Sequence, residues 1–378
     1  MTKTVLSQDD LDNVLMKYFQ QVAQGQTLVS IEAKTGYERY LEFNKNYDTK
    51  DDNKAIADWY SQNKATLQKG VYASENVVTM FYQKIMGFMG GQVPKQPNEQ
   101  GFNALDAKFH NYLHGLPMFS AWRNSLSIYR IDPDIFSEML KTPLPDDTPS
   151  DIFFNLPDFC VYIEFPNPVK YTDFDEFPPH PMGVNNAEIA GFWAYPIQKS
   201  DRENNRIELD LCPNIINTPL PLFDNNSIVL QKGLTVEQAF MATWDCYNLD
   251  PKTRDMSINY DRALIKRLLA MLLWLCVEQP DIIGANGEPL PTNQNRYQRH
   301  KKTGYFVPPN QPKVYNIGQR LGGEIRQYKQ QIADHDRTKT GASKRPHIRR
   351  GHWHGYWTGT GQDKQFTPKW LSATFVNA

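Results

Sequence analysis

The sequence feature that most constrains the fold is a run of ten consecutive apolar residues, from Leu268 to Val277. A helix needs roughly 20 such residues to cross a bilayer, so this run is too short to span a membrane. A helix that is apolar on every side has to be covered on every side, which places it in the interior of a large core. The sequence therefore predicts a buried central helix over Asp261 to Val277, ended by Pro280.

The composition is that of a globular protein. The 378 residues are 40% hydrophobic and 22% charged and include four Cys, which excludes the fibrous, membrane-spanning and disulfide-scaffold classes. The N-terminus has neither the basic start nor the apolar stretch of a signal peptide, so we expect a cytoplasmic protein with no membrane partner.

Cysteines and short motifs exclude several chemistries. Cys160, Cys212, Cys246 and Cys276 are far apart and form no CxxC pair, which predicts buried, reduced thiols. The sequence has no phosphate loop, no GxGxxG, no HExxH and no GxSxG motif, each of which would indicate a cofactor, a metal or a nucleophile. We therefore expect no cofactor and no resident metal.

The pattern of apolar residues and breakers divides the chain into three regions. Residues 1–118 form a helical N-terminal region, with helical periodicity at 11–18 and 77–86. Residues 119–291 form an α+β body, with a helix near 121–129, strands at 158–165, 189–197 and 207–211, and a helix capped by Thr235 and Gln238. Residues 292–378 form a basic region with a helix over 314–334 and aromatic strands at 348–357 and 366–376. The predicted fold class is α+β, with a mixed body around a buried central helix.

Charge is distributed unevenly along the chain. From Arg296 to the C-terminus the sequence has 16 Lys and Arg residues but 4 Asp and Glu residues, a net charge of about +12. The preceding 295 residues therefore carry about −13. Two explanations stay open: the basic region contacts nucleic acid, or it packs against its own acidic body.

The segment from Lys344 to Trp357 concentrates cationic, titratable and aromatic side chains. If it is a strand, alternation places two sets of residues on opposite faces. The polar face would carry Arg350, His352, His354 and Tyr356, and the core-like face would carry Trp353 and Trp357.

The polar face suits several functions. Arg side chains hold phosphate, and His and Tyr donate hydrogen bonds and stack on bases, which favours RNA binding. The predicted RNA-contacting residues are Lys344, Arg345, Arg349, Arg350, His352, His354 and Tyr356. A second possibility is metal-independent RNA cleavage, with the two imidazoles as base and acid and with Arg350 and Tyr356 beside them. A metal shared by His352 and His354 and a purely structural strand are the remaining alternatives.

Several segments resemble the second family of type V-A anti-CRISPR proteins. They are RPHIRRGHWHGYWTGTGQ from Arg345, AWRNSLSIY from Ala121, DDTPSDIFFNLPDFCVYIE from Asp146, LLWLCVEQPDI from Leu272, KKTG from Lys301 and RLGGEIRQY from Arg320. They follow one another in a matching order, and the resemblance covers Ala121 to Asn377.

This resemblance implies a function in blocking the production of the type V-A CRISPR effector nuclease. Members of the family recognise the N-terminal part of the nascent effector polypeptide and bring about loss of its translating mRNA. Relatives occur on mobile elements in hosts without that effector, so a homologue can have another nascent-chain target. The implied partners are a nascent polypeptide and the mRNA on a translating ribosome.

A peptide-recognising surface is therefore expected in residues 119–291, where most of the acidic excess and several aromatics lie. Trp and Arg dominate binding hot spots, so Trp122, Arg123 and Trp193 are the candidates on side-chain type alone. The alternative for the same residues is packing within the core.

Overall fold

A computed structural model of this chain describes residues 35–46, 49–63, 73–88, 115–142, 144–170, 188–198, 206–216, 226–245, 251–277, 281–284, 287, 309–338, 347–360 and 365–376. None of the helices in these ranges is both long enough and apolar enough to cross a membrane.

A mixed sheet lies at the centre of the described residues. Its strands are β1 Ala73–Ser74, β2 Ser127–Ile131, β3 Val161–Lys170, β4 Glu188–Gln198, β5 Ile207–Ile216, β6 Asn226–Leu230, β7 Ile282–Gly284 and β8 Lys313–Ile317. They lie in the order β6-β5-β4-β3-β2-β8-β7, and β1 pairs with the end of β4. Strands β2, β3 and β8 are parallel, whereas β3 to β6 are successively antiparallel.

Helices cover both faces of this sheet. They are α1 Gly36–Asn46, α2 Lys50–Asn63, α3 Glu75–Phe88, α4 at 115–122, α5 Pro133–Leu140, α6 Val236–Asp245, α7 Pro251–Leu272 and α8 Gln319–Thr338. On one face Tyr162 and Trp193 pack in a cluster with residues of α1 to α4. On the other face Val161 and Ile163 pack in a cluster with α5, α6 and α7. Successive side chains of β3 therefore pack into two hydrophobic cores, one on each face of the sheet.

The central helix is confirmed. Every residue from Arg267 to Cys276 is buried, and the last turn tightens into a 3-10 helix over Leu273–Leu275. The helix begins at Pro251, ten residues before the predicted start, because proline is well suited to the first turn and the apolar run marks only the buried half. These observations and the sheet confirm the α+β fold class.

Several local predictions also agree with the structure. The periodicity at 77–86 lies in α3, and the strands predicted at 189–197 and 207–211 lie in β4 and β5. Thr235 and Gln238 form the predicted capping box, because the backbone N–H of each donates to the side chain of the other at 2.9 and 3.2 Å. The helix predicted at 11–18 lies outside the described residues.

Two predicted helices are partly wrong. At 121–129, α4 gives way to a turn, where Leu126 has a φ of 46°, and then to β2. At 314–334, the first residues form β8, which pairs in parallel with β2, and Gly318 with a φ of 75° leads into α8. In both places a short strand rich in β-branched and aromatic residues is stabilised by sheet pairing, which periodicity within one segment cannot reveal.

The sheet takes strands from all three of the predicted regions. Strand β1 comes from residues 1–118, β2 to β7 from 119–291, and β8 from 292–378. The division of the chain at 118 and 291 stays a prediction.

Candidate nucleic-acid interface

The described residues between 347 and 376 form four short strands. They are β9 His347–Arg349, β10 His352–Thr358, β11 Gln365–Leu371 and β12 Thr374–Val376. Strands β10 and β11 pair antiparallel, with His352 opposite Leu371 at one end and Thr358 opposite Gln365 at the other. We call this pair the ribbon. Its base is the end at His352, and its tip is the end at Thr358.

The base of the ribbon is fixed to the central helix. Trp353 is 4% exposed, and its Nε1 donates a hydrogen bond of 2.9 Å to the carbonyl oxygen of Ala270 in α7. Its ring lies 5.4 Å from that of Trp274 and 5.5 Å from that of Trp370, between centroids. The ribbon therefore begins on the core and not on a flexible linker.

The polar face of the ribbon forms as the alternation predicts. His352, His354 and Tyr356 share one face, and the register places Lys369 opposite His354. The His354 and Tyr356 rings are 4.6 Å apart, and the Lys369 ammonium lies 5.6 Å from the Tyr356 ring centroid, a cation–π contact. No Asp or Glu occurs at 347–360 or 365–376, so this face presents donors and positive charge to solvent.

The prediction that Trp357 belongs to a core-like face is wrong. Trp357 is 51% exposed and packs only partly, against Phe366 at 5.0 Å. It shares a face with Trp353, but four residues of strand carry it about 13 Å farther along the ribbon. The core that covers Trp353 thus leaves about half of Trp357 exposed to solvent.

The strand predicted through Arg349 and Arg350 is interrupted. Arg349 ends β9, opposite Thr374 of β12, whereas Arg350 and Gly351 lie between β9 and β10. The Gly351 N–H donates to Oε2 of Glu138 at 3.2 Å, which holds this break against α5. Arg350 is exposed but is not part of the face formed by His352 and His354. Lys344 and Arg345 lie outside the described residues.

A groove of about 410 Å³ opens between α5 and the end of β3. Phe136, Leu140 and Val169 provide apolar lining, and Lys141 and Arg350 provide two cations. A second groove, of about 330 Å³, shares its Pro133 and Pro166 and extends it towards the carboxyl ends of β2 and β8 and the middle of β3. The two grooves are adjacent, and Arg350 of the first lies next to the base of the ribbon.

Ion pairs hold α5, one wall of the groove, against α8. Asp134 accepts hydrogen bonds from Lys329 at 2.5 Å and from Arg326 at 2.8 Å, and Arg326 also pairs with Asp132. Burial raises the pKa of Asp134, but the bonds from Lys329 and Arg326 outweigh burial and hold that pKa below its ordinary value. The wall is thus fixed by charge as well as by packing.

The three peptide-contact candidates do not lie together on the surface, as the residues of a binding hot spot would. Trp122 and Trp193 are each 0% exposed, with centroids 6.2 Å apart in the aromatic cluster beneath the N-terminal helices. Both indoles pack within the core, which is the alternative given above for these residues. Arg123 is half-buried and donates to the carbonyl oxygen of Pro309. The expectation of direct peptide contact thus fails for the two tryptophans because neither reaches the surface.

The arrangement allows more than one chemistry. His352 and His354 lie on one face with Lys369 beside them, which provides proton donors and acceptors next to a cation. Within the part of the chain that the structure describes, no group of three metal-ligating side chains includes them. The exposed rings and cations suit an extended anion with planar groups, which is the chemistry of RNA.

Sequence reasoning missed Lys369 and Lys141. Lys369 is 15 positions from His354 in the sequence, and only the strand register brings them together. Lys141 joins Arg350 because the break at Gly351 lies on α5. The Gly359 to Gly361 segment signals a turn between two aromatic strands, but the pairing register cannot be read from it alone.

Comparison with known proteins places this fold and ribbon in one family. The model of the anti-CRISPR type V subtype A2 family matches residues 129–378. A crystal structure of AcrVA2 superposes with a TM-score of 0.63 at 32% identity, over 90% of this chain and 98% of AcrVA2. The protein FinQ of Escherichia coli is 25% identical over 269 residues, which are 68% of this chain and 71% of FinQ. The family model covers well over half of the sequence, including the whole ribbon, and the chain belongs to the anti-CRISPR type V subtype A2 family.

Proposed function

We propose that this protein recognises the N-terminal part of a nascent polypeptide, either a type V-A CRISPR effector or a related target, and brings about loss of the mRNA being translated. In this proposal the protein is an adaptor: its body contacts the peptide, and its C-terminal ribbon contacts RNA. The observation that carries the RNA part is the ribbon itself, whose two described strands join exposed aromatic rings, two histidines and Lys369 and contain no Asp or Glu.

The groove between α5 and β3 is the proposed peptide contact. It is concave, it combines apolar lining with Lys141 and Arg350, and it adjoins the base of the ribbon. A peptide in this groove would therefore lie close to RNA held by the ribbon, as the coupling of nascent chain to message requires. A small number of polar groups in an apolar depression is the usual composition of a recognition site.

One experiment tests both contacts. Translating ribosomes are captured with the purified protein, and the attached nascent chains and messages are identified. We expect enrichment of one nascent N-terminal sequence together with its own mRNA. Ser137→Trp, which fills the groove, should abolish enrichment of the peptide, whereas Thr79→Trp on the exposed side of α3 should not. Capture without any preferred nascent chain would contradict the proposal.

The second candidate function is an endoribonuclease, favoured by the shared face of His352, His354 and Lys369. Wild-type protein is incubated with labelled RNA, with and without chelator, beside the double variant His352→Ala, His354→Ala. Cleavage that resists chelator and is lost in the double variant would assign the mRNA loss to this chain. Binding without cleavage would assign it to host nucleases.

A further inference from the structure

We infer that the two faces of the ribbon divide the contact with RNA: Trp357 stacks on an unpaired base, and the face of His354, Tyr356 and Lys369 contacts the phosphate backbone. This inference rests on the proposed RNA contact and names its substrate as single-stranded RNA.

The first support is where exposed apolar surface occurs. Among the described residues, the exposed large apolar side chains are Leu41, Met80, Tyr356 and Trp357. The last two are consecutive and lie on opposite faces at the tip of the ribbon. Trp357 is 51% exposed, and keeping this apolar surface in water costs free energy that burial under a ligand would recover. Its π-face is available for a base of any identity.

The second support is that a neighbouring ring holds the Trp357 ring in place. Phe366 lies opposite it in the register, with ring centroids 5.0 Å apart. The Phe366 ring also lies across Gly355, where a Cβ would come within 2.2 Å of it. Glycine at 355 therefore leaves the space that the Phe366 ring occupies beside Trp357. A ring held in this way loses less conformational entropy when a base stacks on it.

The third support is charge complementarity on the opposite face. Lys369 lies over one side of the Tyr356 ring, and His354 lies at 4.6 Å from the same ring. Tyr356 is thus partly covered and is a hydrogen-bond donor rather than a stacking platform. Because β10 and β11 contain no Asp or Glu, a phosphate on this face of the two strands meets hydrogen-bond donors and positive charge.

Unpaired RNA fits this division better than a duplex. In an A-form duplex the base faces are stacked on one another and unavailable to an indole, and the ribbon carries only Lys369 within β10 and β11 as a permanent cation. In a single strand, a base and its own phosphate can lie on either side of one β-strand. The ribbon tip therefore selects unstacked bases and not a sequence.

The test measures affinity and salt dependence for a single-stranded oligonucleotide and for its duplex. Trp357→Ala should weaken single-strand binding roughly 5- to 100-fold, with the slope of log affinity against log salt unchanged. Lys369→Gln should lower that slope by about 0.7, since one phosphate contact is lost. Trp357→Phe should restore most of the affinity, and Met80→Ala is the matched control, an exposed apolar residue elsewhere. Thermal unfolding verifies that each variant folds.

The outcomes separate this inference from the proposed function. Single-strand binding by the wild type that Trp357→Ala leaves unchanged, or equal affinity for the duplex, would overturn the division of faces but keep RNA binding. Wild-type protein that binds neither RNA would overturn both.

Discussion

The central helix and the ribbon both contain tryptophans, yet the residues of the two regions lie in opposite environments. Every residue from Arg267 to Cys276 is buried, whereas in 347–360 the buried residues are Gly351 and Trp353. The two regions meet at the hydrogen bond from Trp353 to Ala270. Beyond that contact the ribbon continues without cover, so Trp353 belongs to the core and Trp357 to the surface. Whether a tryptophan of the ribbon supports the core or is available for binding depends on whether core residues cover it.

The largest expected effect is in the central helix. Leu269 is 0% exposed, and Leu269→Asp buries a carboxylate without a partner, at a cost of several kcal/mol, on the order of the whole folding stability. We expect almost no soluble protein. Leu41→Asp, at a residue that is 44% exposed, is the matched control and should fold. A soluble Leu269→Asp variant with a cooperative melt would contradict the placement of this helix.

A smaller effect distinguishes the two ends of the ribbon. Trp353→Ala should cost about 3–5 kcal/mol of unfolding free energy, because it leaves a cavity in the core beside Trp274 and Trp370. Trp357→Ala should cost about 0.5 kcal/mol, since half of its ring is already in water. Urea denaturation of both variants checks this. Equal losses would mean that the tip is packed as tightly as the base.

The smallest expected effect concerns the wall of the groove. Asp134→Asn should destabilise the protein by about 0.5–1 kcal/mol at neutral pH, because it removes the charge that pairs with Arg326 and Lys329. The folded-state pKa of Asp134 lies below its ordinary value of 3.8. The contribution of the Asp134 charge to the free energy of unfolding is therefore complete above pH 3.8 and is lost as the pH falls through the folded-state pKa.

The measurement for this variant is the unfolding free energy of wild type and Asp134→Asn between neutral pH and about pH 2.5. The difference between the two proteins should shrink on acidification. A difference that stays constant across this range would show that the Asp134 carboxylate is not what holds α5 to α8.

The parts of the fold that sequence could predict are those with one strong local signal. The apolar run at Leu268 predicts the buried helix, and the alternation at His352, His354 and Tyr356 predicts their common face. The remaining features depend on tertiary contacts. Strands β2 and β8 are stabilised by pairing with each other in parallel. Lys369 lies opposite His354 only because of the strand register. Trp357 shows the same limit, because alternation defines its face but not where the core ends.

Contact between the ribbon and RNA is tested most directly by ultraviolet crosslinking of the protein to RNA in translating cells, followed by identification of the crosslinked peptides. We expect a crosslink at Trp357 on the ribbon tip, lost in Trp357→Ala and retained in Met80→Ala. Crosslinks confined to α1 to α3, or none in residues 347–376, would contradict the assignment of the ribbon as the RNA-contacting surface.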